Sequence, residues 1–209
     1  MSFMDRINSF QLDVLKEIGN IGAGNSATSL SILLNKKIEM NVPSVRLVNY
    51  SEMMEFAGGP DEPVCAVFLR IEGDAPGSMY FILSIEQANR FVQSLTASPI
   101  SFEQPPYDEM AMSALQEMGN IVAGSYLSAL SDFTNLSLVP SVPAVNIDMF
   151  GALMSFGLYE LSKESDHCLV IETLITDSDQ TNKAVKGYFF LLPDPQSFET
   201  IFTSLGVNE

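Results

Sequence analysis

The chain has 209 residues, enough for one large domain or two small ones with a real core. Its 10 basic against 26 acidic residues leave a net charge of −16, which repels phosphate backbones and anionic lipid and argues against nucleic-acid partners and membrane-surface docking. A 46% hydrophobic, 17% charged composition is that of a folded globular chain, not a disordered one.

The first residues lack the apolar core of a signal peptide. Charge, Gly or Pro interrupts every later apolar run well short of the ~20 residues that span a bilayer. A cytoplasmic protein without membrane insertion is the expectation.

Taken in order, apolar residues at helical spacing predict a long helix over 9–34, with Leu12, Leu15, Ile18, Leu30 and Leu33 on its core side. Asn35 stands where that helix should end in the left-handed conformation. Strands are predicted over 38–48, 64–72 and 78–83, the first two joined by a short connector and the last two by the hairpin turn Gly73–Gly77. A helix follows over 84–95. Pro99, Pro105 and Pro106 then mark a linker over 98–108. The second half repeats the order: a helix over 108–133 stopping at Asn135, strands over 137–149, 168–176 and 185–192, and a closing helix over 193–205. Cys65 and Cys168 lie in apolar strand-like runs and are expected as buried free thiols. His167 is the only histidine, which removes two-histidine zinc sites and leaves little room for histidine-based catalysis.

The two halves are copies at an offset of 100 residues: between 13–45 and 113–145, 13 of 33 positions are identical without a gap. The expected architecture is therefore α+β and internally duplicated, with long helices packed on a largely antiparallel sheet about a pseudo-two-fold axis. Two repeats, about 1–100 and 101–209, would share one core as a single domain. No Gly-rich motif follows a strand, and no P-loop is present, so nucleotide binding has no support.

On the first long helix Asp13, Glu17, Asn20 and Gly24 fall within an arc of about 60°, and Ser113, Glu117, Asn120 and Gly124 do the same on its copy. Lys16, Gly22 and Ser26 drift to Gln116, Val122 and Tyr126, yet the Glu, Asn and Gly of the stripe do not. Glycine inside a helix costs roughly 0.5–1 kcal/mol, and a merely solvated face has no use for it. A bare Gly24 or Gly124 lets a partner's backbone come close. Asparagine does not titrate, so it cannot be a general base, but it can hold a water by donating and accepting hydrogen bonds. An exposed glutamate is a weak base at neutral pH and better suited to pairing with a partner's cation. Glycoside hydrolysis would want aromatic platforms, and the chain has no Trp.

At these residues the sequence resembles the CheC family of bacterial chemotaxis proteins, the CheC/CheX/FliY phosphatases. That family's pattern is Asp or Ser, three residues, Glu, two residues, Asn, twenty-two residues, Pro. It is met by Asp13, Glu17, Asn20 and Pro43, and again by Ser113, Glu117, Asn120 and Pro143. Two full copies favour the CheC type over CheX-like members with one.

The resemblance implies a phosphatase for the aspartyl phosphate of the response regulator CheY. Asn20 and Asn120 would orient the attacking water, Glu17 and Glu117 would bind a CheY lysine, and Asp13, Gly24, Ser113 and Gly124 would help dock CheY. No cofactor of its own is implied, Mg²⁺ being expected on CheY. The family also implies a second partner, the receptor deamidase CheD, engaged by a segment that 145–154 resembles. Asp148, Met149, Phe150 and Leu153 are the candidate contacts. An adaptor for CheD or the flagellar switch, with minor turnover, is the alternative to an enzyme.

Overall fold

The computed structural model describes residues 7–96, 101–161, 167–177, 184–194 and 196–206. Two 26-residue helices dominate it, α1 (Ser9–Leu34) and α4 (Glu109–Thr134). Each starts where a side chain covers its free amides. Asn8 accepts from the Gln11 amide at 3.0 Å while Gln11 accepts from Asn8, a reciprocal capping box. Asp108 accepts from the Ala111 amide at 2.9 Å. Each also stops as expected, with Asn35 (φ 49°) and Asn135 (φ 55°) left-handed.

The strands are β1 (Ile38–Asn49), β2 (Pro63–Gly73), β3 (Gly77–Ser84), β4 (Leu138–Pro140), β5 (Ala144–Met149), β6 (His167–Asp177) and β7 (Val185–Pro193). They form one sheet in the order β1-β6-β7-β3-β2-β4, with β5 also on β2, and every pairing is antiparallel. The order is a palindrome. Exchanging each strand for its copy in the other half reverses the list, so the pseudo-two-fold axis passes between β3 and β7 and each half lends its first strand to the far edge.

Side chains alternate across this sheet with the two-residue strand period. Cys65, Val67, Phe81, Leu83, Phe189 and Leu191 face the larger core under α1, α4, α3 (Ile85–Thr96) and α6 (Ser197–Ser204). Val64, Ala66, Tyr80, Ile82, Phe190 and Leu192 face a smaller core closed by α2 (Tyr50–Phe56) and α5 (Phe150–Leu161). Cys65 and Cys168 lie in these two different cores, on opposite faces, and both are free thiols pushed up to about 12 by burial. Linker residue Phe102 is fully buried in the larger core, its amide held by Asn89 Oδ1 at 2.9 Å.

Three expectations need correction. The connector after the first strand is the helix α2, and its copy in the second half is the longer α5. The single strand foreseen over 137–149 is broken into β4 and β5, because Pro140 and Pro143 lack the amides a ladder needs. Leu33 is exposed, not core.

Candidate active site

α1 and α4 run antiparallel over the sheet. Gly22 abuts the backbone of Tyr126, while Leu15 and Ile18 share a small cavity with Leu127 and Leu130. The polar stripes lie on the helix faces turned away from the core: Asp13, Glu17, Ser113 and Glu117 are all exposed. A side chain at Gly24 or Gly124 would meet nothing within 4 Å, so each stripe carries a bare turn open to a partner. Exposed Asn120 makes no hydrogen bond to any described residue.

The two copies differ at the asparagine. In the first half, β1 bulges between Asn41 and Ser44, and the Val42 amide in that bulge loses its strand partner. Asn20 Oδ1 accepts from it at 2.9 Å, and Asn20 Nδ2 donates to the carbonyls of Lys16 (3.1 Å) and Val42 (3.5 Å). Asn20 is half-buried, tying helix to strand. In the second half Gln116 Nε2 makes the corresponding tie, donating to the Pro143 carbonyl at 2.9 Å, and Asn120 has no bond to any described residue. Val142 is 82% exposed there, whereas its counterpart Val42 is buried at 1%. The change from Lys16 to Gln116 was legible as drift in the sequence; that it relieves Asn120 of a structural duty was not.

The ties also locate the stripes. Val42 belongs to the edge strand β1, and Pro143 lies between β4 and β5 at the opposite edge, so the stripes stand above the two ends of the sheet. Pro43 sits in the bulge and Pro143 in the strand break, each at a point where the ladder is interrupted.

Of the residues expected to meet CheD, Asp148 and Met149 are exposed at the end of β5. Beside them opens a groove of about 540 Å³ that Phe102, Tyr107, Asn89, Glu86 and Glu103 also line. Phe150 is a correction: it is fully buried in the smaller core, 5.5 Å from the Phe190 ring, with its amide bonded to the Glu62 carbonyl. It has no surface to offer a partner. Leu153 is half-buried against the same core. Among the described residues no helix is long and apolar enough to cross a membrane.

Comparison with known proteins fits this geometry. A family model described as the CheC-like family matches residues 10–47 and 110–147, the segments that hold both stripes and both prolines. The CheY-P phosphatase CheC of Bacillus subtilis (strain 168) is 48% identical over 209 residues, covering 100% of both chains. The flagellar motor switch phosphatase FliY of the same strain is 28% identical over 144 residues, 69% of this chain and 37% of that protein. Among solved structures, Thermotoga maritima FliY has the same fold, with a TM-score of 0.76 at 20% identity over 97% of this chain and 99% of that one. With two copies of the Glu–Asn stripe on paired helices and a full-length relative at this level of identity, the chain belongs to the CheC-like family.

Proposed function

We propose that this protein hydrolyses the aspartyl phosphate of the response regulator CheY, using one site on α1 and one on α4. The observation that carries this reading is the solvent-facing Asn120 carboxamide, bonded to no described residue and one turn beyond Glu117, in a chain 48% identical along its whole length to a CheY-P phosphatase.

An acyl phosphate is already labile, so the catalyst has little to supply beyond geometry. Holding the nucleophile in line is by itself worth orders of magnitude. The Asn120 carboxamide oxygen accepts one hydrogen of a water and its amide donates to that water, aiming the remaining lone pair at phosphorus. The new O–P bond forms as the bond to the aspartyl oxygen breaks; the aspartate is left as its carboxylate, and phosphate leaves with the water's oxygen and its protons, the excess passing to solvent. Glu117 pairs with a lysine of the partner and fixes the register of the two proteins. Glu17 and Asn20 play the same parts on α1, with Asp13 and Ser113 at the rims of the stripes and Gly24 and Gly124 admitting the partner's backbone. The Mg²⁺ that accompanies such a phosphoryl group comes with CheY.

Phosphate release from CheY charged with acetyl phosphate tests the activity directly. The protein should shorten the lifetime of the phosphoryl group, and an unchanged lifetime would end the proposal. Glu17→Ala with Glu117→Ala should raise KM about tenfold or more, as expected for loss of charged contacts across an interface, and leave kcat nearly unchanged. Equal KM values would remove the glutamates from docking.

Exposed Asp148 and Met149, set beside the 540 Å³ groove, support a second role in which this corner holds CheD. Asp148→Asn with Met149→Ser should abolish co-purification with CheD at unchanged thermal stability; retained binding would refute the assignment. Phe150→Asp does not serve as a test, because it buries a charge in the smaller core and is expected to unfold the protein.

A further inference from the structure

We propose that Phe10 and Met110, the apolar side chains that head the two stripes, are the anchors that set affinity for the phosphorylated receiver domain. This rests on the phosphatase reading and adds to it the residues that hold the substrate protein in place.

Phe10 is 63% exposed and Met110 69% exposed, at positions 100 residues apart. The repeats have changed the residue here and kept its size and apolar character. A single exposed apolar side chain is ordinary, but one recurring at the matched position of a diverged duplication is not explained by that. Neither side chain is needed to start its helix. Ile7 and Leu12 occupy the positions flanking the cap of α1 at which a hydrophobic staple fixes chain entry, and both pack against the larger core. Tyr107 and Met112 do the same for α4. Phe10 and Met110 therefore face outward with no folding duty.

Their direction selects the occupant. Steps of three and four residues lead from Phe10 through Asp13 to Glu17 and from Met110 through Ser113 to Glu117, along one face of each helix. At a rise of 1.5 Å per residue, the anchor lies about 10 Å from the glutamate and about 15 Å from the asparagine. A protein interface of ordinary size covers roughly 800 Å² on each partner, a patch nearly 30 Å across. A receiver domain that brings its phosphoryl group to Asn120 and a lysine to Glu117, and so extends from the asparagine toward the start of the helix, has Met110 within the reach of such a footprint. Aromatic and Met side chains are enriched in the parts of interfaces that carry binding energy. Charge pairing by the glutamates chiefly speeds encounter, and desolvated apolar anchors lengthen residence.

The test compares Phe10→Gln with Met110→Gln against Phe10→Leu with Met110→Leu. Glutamine and leucine are both good helix formers, so the two proteins differ in polarity at exposed positions. The Gln pair should weaken binding to a receiver carrying a beryllofluoride phosphate mimic about tenfold or more and raise KM in parallel. Its kcat at saturation and its melting temperature should be unchanged, and the Leu pair should bind like the parent. Binding and KM of the Gln pair within twofold of the parent would overturn the proposal, as would an equal loss in both pairs. If the parent itself fails to accelerate phosphate release, the phosphatase reading falls; an active parent with an unaffected Gln pair removes the anchors alone.

Discussion

Asn120→Ala should remove most of the phosphatase turnover, whereas Asn20→Ala should leave most of it and instead destabilise the protein. The asymmetry follows from one hydrogen bond. To hold a water, Asn20 must first release the Val42 amide, which sits in the β1 bulge with no strand partner. The net worth of such a bond is about 1 kcal/mol, more if the amide is left unpaired. With that amide left unpaired the cost is about 1–3 kcal/mol, so at 1.4 kcal/mol per factor of ten the first site works at about a tenth of the rate of the second or less.

The single Asn120 variant is then expected to retain about a tenth of parent kcat or less. The double variant should fall about a hundredfold, the scale on which misplaced reactive groups lose rate. Stability should move the other way. Asn20→Ala strands the Val42 amide at a cost of about 1–3 kcal/mol, and at about 2–4 °C per kcal/mol for a chain of this size its melting temperature should drop by several degrees. Asn120 bonds to no described residue, so Asn120→Ala should melt with the parent. Phosphate release and thermal melts on the three variants decide this; equal losses of activity from the two single substitutions would sink it.

The parts of this molecule that were legible in sequence are those governed by period and repetition. The long helices declared themselves through apolar spacing and the stops at Asn35 and Asn135, whereas their caps at Asn8 and Asp108 emerged only in the structure. The antiparallel sheet followed from hairpin-length turns such as Gly73–Gly77. The stripe residues were found because Glu, Asn and Gly recur at fixed offsets while their neighbours change. What stayed hidden lacked such a signal. At seven residues α2 is too short to show a helical period, and the described part of α5 has buried Phe150 and Met154 beside half-buried Leu153, which in sequence resembled a surface patch. The difference between the two asparagines depends on where a strand bulges, and no residue-by-residue comparison of the halves contains that.

Gly22→Val should be among the most damaging single changes on α1, although valine is the residue that the second half carries at the matching position 122. At the crossing of α1 and α4 an added Cβ on Gly22 would lie 2.9 Å from Tyr126 Cα and 3.1 Å from the Ser125 carbonyl oxygen. These are backbone atoms and cannot swing aside. The crossing has been solved in two complementary ways: Gly22 opposes Tyr126, whose hydroxyl is bonded to Thr173 Oγ1 at 3.0 Å, while Ser26 and Val122, fully buried, hold the symmetric positions. Copying Val122 into position 22 drives a side chain into main chain that stays in place whatever residue stands at 126.

Overpacking of this kind costs about 1–3 kcal/mol, and a drop of about 5–10 °C in melting temperature is expected for Gly22→Val. Because the obstruction is main chain, Tyr126→Ala should not rescue it. Gly24→Ala, two residues on, should do the reverse. Its Cβ meets nothing within 4 Å, so the roughly 0.5–1 kcal/mol gain in helix preference should raise the melting temperature by a few degrees. With the partner's backbone seated against that bare turn, the same substitution should raise KM for CheY-phosphate. Thermal melts paired with phosphate-release kinetics separate the two glycines. A Gly22→Val protein as stable as the parent, or one restored by Tyr126→Ala, would show that the helices do not cross at backbone contact.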